Sequence, residues 1–316
     1  MALRTLNDLF GLPSQSQVEV PDVSVPNRPH VDPRYIFRPE LMRDMLIFNN
    51  LGLRSCMLTG HKGTGKTSLA VQFHAVLNRS LVSATGNEKM TAEDLFGQFL
   101  PNEKGGLDWV DGPVTHAART GTSVLINEFN AMPPGLQIAL NDIAHNGERV
   151  PVPARNEMID PPPGFRIFCT INPKGDNDFL YQARNLIDGA LMERFFWIQV
   201  GYAGKDEERQ VVLRAFQEMH PDMDEDAFGH IADMMVSVAE RVRESAQAGT
   251  ASSIPEMIST RVLRNWAVYW TQYEKRGGVH AALQRALTYG LRPEVAKAIH
   301  GIVAAEFGMP SPYALI

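Results

Sequence analysis

The chain has 316 residues, room for about two packed units at roughly 150 residues each. Hydrophobic residues make up 44% and charged residues 21%, which excludes a disordered or fibrous chain. The 30 basic and 36 acidic residues leave a net charge of −6, which disfavours a dedicated binder of nucleic acid.

Residues 1–36 hold Pro13, Pro21, Pro26, Pro29 and Pro33, so no regular element is expected to run far there. The segment reads as an extended arm, free to wrap a neighbouring subunit or to move. A helical pattern from Arg38 to Asn50 follows, then the apolar strand Ser55 to Thr59, which Gly60 breaks. Leu69, Phe73, Val76 and Leu77 fall on one helical face. Further strands are expected at Leu81–Ala84, Ser123–Ile126, Arg166–Thr170 and Phe195–Val200, and Thr91 to Asp94 has the form of a capping box opening a helix through Leu100. Strands alternating with helices predict an α/β fold with an open parallel sheet over residues 37–204. From Lys205 strands disappear, and residues 205–316 read as a small helical domain, with helices at Glu207–Met219, Ala227–Ala246, Thr260–Lys275 and Pro293–Phe307.

Cys56 and Cys169 each lie in an apolar run, the setting of a buried reduced thiol, so a reducing compartment is expected. No run reaches the ~18 apolar residues that a membrane span needs, and the opening stretch carries Asp8, so the expectation is a cytoplasmic protein with no membrane partner.

Gly60, His61, Lys62, Gly63, Thr64, Gly65, Lys66 and Thr67 fit G-x-x-x-x-G-K-[ST] between a strand and a helix, and Ser68 follows. The glycines let consecutive N–H groups turn inward as an anion nest, the helix presents its positive end, and Lys66 adds a mobile charge for the β- and γ-phosphates of a nucleotide. Thr67 supplies a hydroxyl ligand for Mg²⁺. Ser68 stands where a dinucleotide fingerprint needs glycine. The strand ending in Asn127-Glu128 is placed to complete the site: Glu128 can polarise a water, whereas Asn127 accepts hydrogen bonds from metal-bound water without adding charge. Weaker Mg²⁺ binding or slower turnover is the expected cost. Asn172 ends the next strand, Arg194 precedes the last one, and Arg261 opens a helix of the second domain. Nine histidines include no pair at i, i+4, and Asp222, Asp224 and Asp226 lack the glycine and glutamate of a calcium loop, so neither set is read as a metal site. Trp266 and Trp270 read as packing residues.

In this order the elements resemble an AAA+ ATPase, and within that superfamily the MoxR clade. The stretches 87–97, 109–113 and 117–119 are similar to the ATPases that activate rubisco or nitric oxide reductase. Leu180-Tyr181, Ile187, Ala190, Met192 and Arg194, with Leu9-Phe10-Gly11 and 18–21, resemble the ATPase subunit of aerobic cobaltochelatase. The resemblance implies a five-stranded sheet, a helical lid and a ring, commonly a hexamer, whose sites are completed by the next subunit. It implies that residues 60–68 bind ATP and Mg²⁺, that Glu128 activates water, and that Asn172, Arg194 and Arg261 are sensor 1, arginine finger and sensor 2. It also implies a partner carrying a von Willebrand factor A domain, a client protein to be remodelled, and pore loops near Leu100–Gly112 and Glu148–Asp160. The family has Asp where this chain has Asn127. Two other readings stay open: a nucleotide-gated assembly module with slow hydrolysis, and an ATPase acting on nucleic acid.

Overall fold

The computed structural model describes residues 2–23, 25–145, 148–172, 189–247, 254, 257–273 and 278–313. They form two compact units, one of residues 1–61 and 66–200, the other of residues 201–316 with residues 62–65.

The first unit opens with β1 (Ala2–Thr5), α1 (Leu6–Phe10) and β2 (Gln17–Val20), and the two strands pair antiparallel from Ala2↔Val20 to Thr5↔Gln17. Thr5 caps α1 by accepting from the Asp8 N–H at 3.0 Å. The segment read as an extended arm is therefore partly regular, and it is tied down. Phe10, Leu12 and Val20 are buried, with Phe10 stacked on Phe73. Beyond β2 the prolines preclude a ladder, and side chains of the core take over the backbone groups. Asn78 donates to the carbonyls of Pro21 and Val23, Arg28 donates to the Ala75 carbonyl, and Gln72 bonds to the His30 carbonyl and the Asp32 N–H.

The main sheet is delivered by β3, β4, β7, β10 and β11 within the order α2 (Pro39–Asn50), β3 (Ser55–Thr59), α3 (Lys66–Val76), β4 (Leu81–Thr85), α4 (Ala92–Phe96), β5 (Gly97–Pro101), β6 (Leu107–Asp111), α5 (Pro113–Thr120), β7 (Ser123–Asn127), α6 (Pro134–Ala144), β8 (Val150–Val152), β9 (Glu157–Ile159), β10 (Arg166–Ile171), α7 (Gly189–Met192) and β11 (Phe196–Gln199). These five strands lie parallel in the order β11-β3-β10-β7-β4. Side chains alternate between two buried faces, as a doubly covered sheet requires. Cys56, Leu58, Leu125 and Phe168 join the core beneath α2 and α3, while Met57, Val124, Ile126, Ile167 and Cys169 join the one that includes Leu95, Val114 and Leu140.

The helix expected to run through Leu100 stops at Phe96. Gly97 has φ +115°, and a Cβ there would stand 2.4 Å from the Val110 carbonyl oxygen, so the chain turns into the antiparallel hairpin β5–β6. Its Phe99, Leu100, Leu107 and Val110 are exposed. A second hairpin, β8–β9, pairs Val150↔Ile159. Arg119 bridges the two, donating to Asp111 of the first at 2.9 Å and forked onto both carboxylate oxygens of Glu157 in the second at 2.6 and 2.7 Å.

The second unit carries α8 (Lys205–Met219), α9 (Glu225–Gln247), α10 (Thr260–Tyr273), α11 (Gly278–Ala286) and α12 (Pro293–Phe307) around a core that includes Phe216, Met235, Val242, Leu263, Trp266, Leu283 and Ile299. Trp266 is fully buried and donates to the Val279 carbonyl at 2.9 Å; Trp270 packs on Phe216 and Phe228. No helix among the described residues is long and apolar enough to cross a membrane.

Candidate functional site

Sheet register brings three strand ends to one edge. Thr59 lies beside Ile171 and Ile126 beside Cys169, so Gly60, Asn172 and the pair Asn127-Glu128 emerge as neighbours at the carboxyl ends of β3, β10 and β7. This is where open α/β sheets bind ligands. The loop between β3 and α3 turns on Gly63 (φ +79°) and Gly65 (φ +93°), left-handed positions that suit glycine and that aim backbone N–H groups inward. The eleven-residue α3 starts at Lys66, so its positive end meets whatever occupies the loop.

Lys66 is buried, and its ammonium donates to the carbonyl oxygens of Gly60 and His61, both at 2.7 Å, and to Asn172 Oδ1 at 2.8 Å. Thr67 Oγ1 donates to Asn127 Oδ1 at 2.6 Å. Two hard oxygen donors thus converge at the strand end, the donor chemistry that magnesium prefers, although neither is charged. Glu128 has φ +54°, a left-handed conformation that costs a non-glycine residue about 1–2 kcal/mol. Two contacts hold it there. Its N–H donates to Thr170 Oγ1 at 3.0 Å, and Gly86 donates to the Asn127 carbonyl at 2.7 Å so closely that a Cβ on Gly86 would stand 2.7 Å from the Glu128 carbonyl oxygen.

Five of the residues singled out in the sequence (Lys66, Thr67, Asn127, Glu128 and Asn172) are therefore brought together. Arg194 lies exposed in the turn between α7 and β11, and Arg261 lies exposed in the first turn of α10. Leu180, Tyr181 and Ile187 lie outside the described residues. Among those described, no group of three or more His, Cys, Asp or Glu side chains is placed to hold a metal ion. Sequence reasoning missed Thr170, Gly86 and Asn130. Asn130 is buried and donates to the Asn172 main-chain carbonyl at 2.9 Å, tying the turn after Glu128 to the tip of β10. Thr170, two residues before Asn172, was within reach of a period-2 reading of β10; the other two act through contacts that no local pattern shows.

Residues 55–195 match the family described as AAA domain (dynein-related subfamily), and residues 226–306 match the CbbQ/NirQ/NorQ C-terminal family. Together they span four of the five strands of the main sheet and most of the helical unit. The chain combines an AAA domain with a CbbQ/NirQ/NorQ C-terminal domain, and in this it resembles the MoxR-type AAA+ ATPases. Similar proteins include the aerobic cobaltochelatase subunit CobS of Sinorhizobium sp., 25% identical over 83% of this chain and 79% of that one. The protein CbbQ of Hydrogenophilus thermoluteolus is 28% identical over 66% and 70%. Midasin of Dictyostelium discoideum is 27% identical over 50% of this chain, which spans only 3% of that protein's length. The loop 60–67 has the form of a phosphate-binding loop, and the amide at Asn127 stands where the family resemblance places an aspartate.

Proposed function

We propose that this ATPase works as a ring, commonly a hexamer, in which ATP held at residues 60–68 of one protomer is hydrolysed with help from Arg194 of the next. Lys66 holds the β- and γ-phosphates, Glu128 orients and deprotonates the attacking water, Asn172 positions Lys66 and the γ-phosphate, and Arg261 reads the γ-phosphate from the helical unit. Thr67 and Asn127, with Glu128 beside them, would hold Mg²⁺, which when bound neutralises charge on the phosphates. The observation that carries this reading is the Lys66–Asn172 hydrogen bond, which joins the phosphate loop to the tip of β10. An exposed Arg194 suits a group that acts outside its own subunit.

Hydrolysis is proposed to move the β5–β6 and β8–β9 hairpins as pore loops on a client protein, through a partner carrying a von Willebrand factor A domain. Likeness to a cobaltochelatase subunit and to CbbQ supports a role in remodelling another protein, whether to activate it or to drive metal insertion into a tetrapyrrole. The test is phosphate release by the purified protein, with sedimentation in ATP. The wild type turns over and assembles, Lys66→Ala does not turn over, and Arg194→Ala keeps its ATP affinity while losing hydrolysis. Equal rates in wild type and Lys66→Ala contradict the reading.

A second reading rests on the uncharged Thr67–Asn127 pair: ATP binding sets ring geometry and hydrolysis is slow. Asn127→Asp separates the two, because it speeds turnover only if the amide limits it.

A further inference from the structure

The second unit buries two charges that the chemistry above does not use. Glu208, in the first turn of α8, is 1% exposed and Arg243, in α9, is 6% exposed. Arg243 Nη1 and Nη2 donate to the two Glu208 oxygens at 2.9 and 2.8 Å, and the guanidinium lies 4.2 Å from the centre of the Tyr202 ring. Apolar side chains of similar volume often hold helices together as well as a buried ion pair, or better. What apolar groups cannot do is direct hydrogen bonds, and this pair directs two of them at the start of α10. Arg243 Nε donates to the Ile258 carbonyl at 2.8 Å, and Glu208 Oε1 accepts from Thr260 Oγ1 at 2.8 Å.

Those bonds fall on either side of Ser259, the residue that caps α10 by accepting from the Val262 N–H at 3.2 Å. Ser259 is buried, and its side chain lies against Gly63: a Cβ on Gly63 would stand 2.3 Å from Ser259 Cβ. Residues 62–65 of the phosphate loop belong to this unit. Tyr202, which stacks on Arg243, also reaches the Lys62 carbonyl with its hydroxyl at 3.4 Å. Arg261 follows Thr260 directly.

We propose that Glu208, Arg243 and Thr260 are positioning residues that fix the first turn of α10 against the tip of the phosphate loop, and thereby set Arg261 for the γ-phosphate. The inference rests on the reading that Arg261 senses the γ-phosphate. Its test compares Thr260→Val, which removes the hydroxyl at nearly constant shape, with Thr260→Ser, which keeps it, and with Arg261→Ala. The readout is the ratio of ATP to ADP affinity, measured with fluorescent nucleotides on the full chain. Global destabilisation alone does not move that ratio.

Arg261→Ala and Thr260→Val each lower the preference for ATP by about fivefold or more, the usual size of coupling between sites. Thr260→Ser stays near the wild type, and the double variant Thr260→Val/Arg261→Ala is no worse than Arg261→Ala alone. If Arg261→Ala loses the preference and Thr260→Val keeps it, or if the two losses add, the positioning role is overturned while the role of Arg261 stands. If Arg261→Ala itself keeps the preference, the role of Arg261 falls and the proposal falls with it.

Discussion

Asn172→Ala isolates the bond on which the reading of the site turns. The change removes the hydrogen bond from the Lys66 ammonium to Asn172, leaving those to the carbonyls of Gly60 and His61, and it spares the Asn172 main-chain carbonyl that accepts from Asn130. The fold at the tip of β10 should therefore survive. A hydrogen bond to a charged group is worth roughly 1.5–3 kcal/mol, and at about 1.4 kcal/mol per tenfold this is about 10- to 150-fold. Because the phosphates themselves supply Lys66 with new acceptors, the loss should appear in kcat, with ATP affinity changed by less than about threefold. Asn172→Asp should behave in the opposite way. A carboxylate at the 2.8 Å separation now seen between Asn172 Oδ1 and Lys66 would attract the ammonium by about 6 kcal/mol before desolvation, at an effective dielectric constant of about 20. That attraction holds Lys66 away from the nucleotide and places a like charge near the γ-phosphate, so ATP affinity should fall by about tenfold or more. Phosphate release and nucleotide titration on the two variants give both numbers. Wild-type turnover in Asn172→Ala, or wild-type ATP affinity in Asn172→Asp, would refute the reasoning.

Three further outcomes are expected. Asn127→Asp keeps the acceptor that Thr67 uses and adds a charge, so the Mg²⁺ concentration for half-maximal turnover should drop by about tenfold or more; an unchanged requirement means that the amide is not what sets it. Gly86→Ala forces a methyl to within 2.6 Å of Met132 Cγ and 2.7 Å of the Glu128 carbonyl oxygen, an overpacking cost of roughly 1–3 kcal/mol, and should impair hydrolysis more than ATP binding. A parallel loss of both would mean that the strain does not reach Glu128 selectively. His74, buried in α3 with its Nδ1 bonded to the Ala70 carbonyl, is pushed down to about 4 by burial. Its folded pKa lies below the unfolded value, so its contribution to stability is complete above about pH 6.5 and is lost as pH falls toward 4; between pH 7.5 and 5 the loss is about 2 kcal/mol. Urea midpoints at the two pH values should show it, and His74→Phe should flatten the difference; an equally steep variant would assign the pH dependence to other groups.

The parts of this molecule that were legible before the structure are those governed by local physics. The strand at Ser55–Thr59 matches residue for residue, and the phosphate loop, the Asn127-Glu128 strand end and Asn172 occupy the edge that their patterns imply. A run of apolar residues ending in a polar one already says which end of a buried strand meets the ligand. The failures share a different cause. The ladder of β1 with β2 depends on pairing across eleven intervening residues and on Phe10 finding Phe73, which Pro13 and Pro21 on either side of β2 conceal. The hairpin after Phe96 depends on how closely Gly97 meets Val110. Asn130 and the Glu208–Arg243 pair act across folded distances, and sequence spacing carries no sign of them.

Mixing two inactive proteins tests the central claim most directly. Lys66→Ala subunits lack the phosphate grip and retain Arg194, whereas Arg194→Ala subunits have the reverse defect. If each site is built from one subunit's loop and its neighbour's arginine, phosphate release should reappear when the two are combined in ATP, highest near equal proportions. A mixture as silent as its components, from proteins shown to co-assemble, would contradict the account.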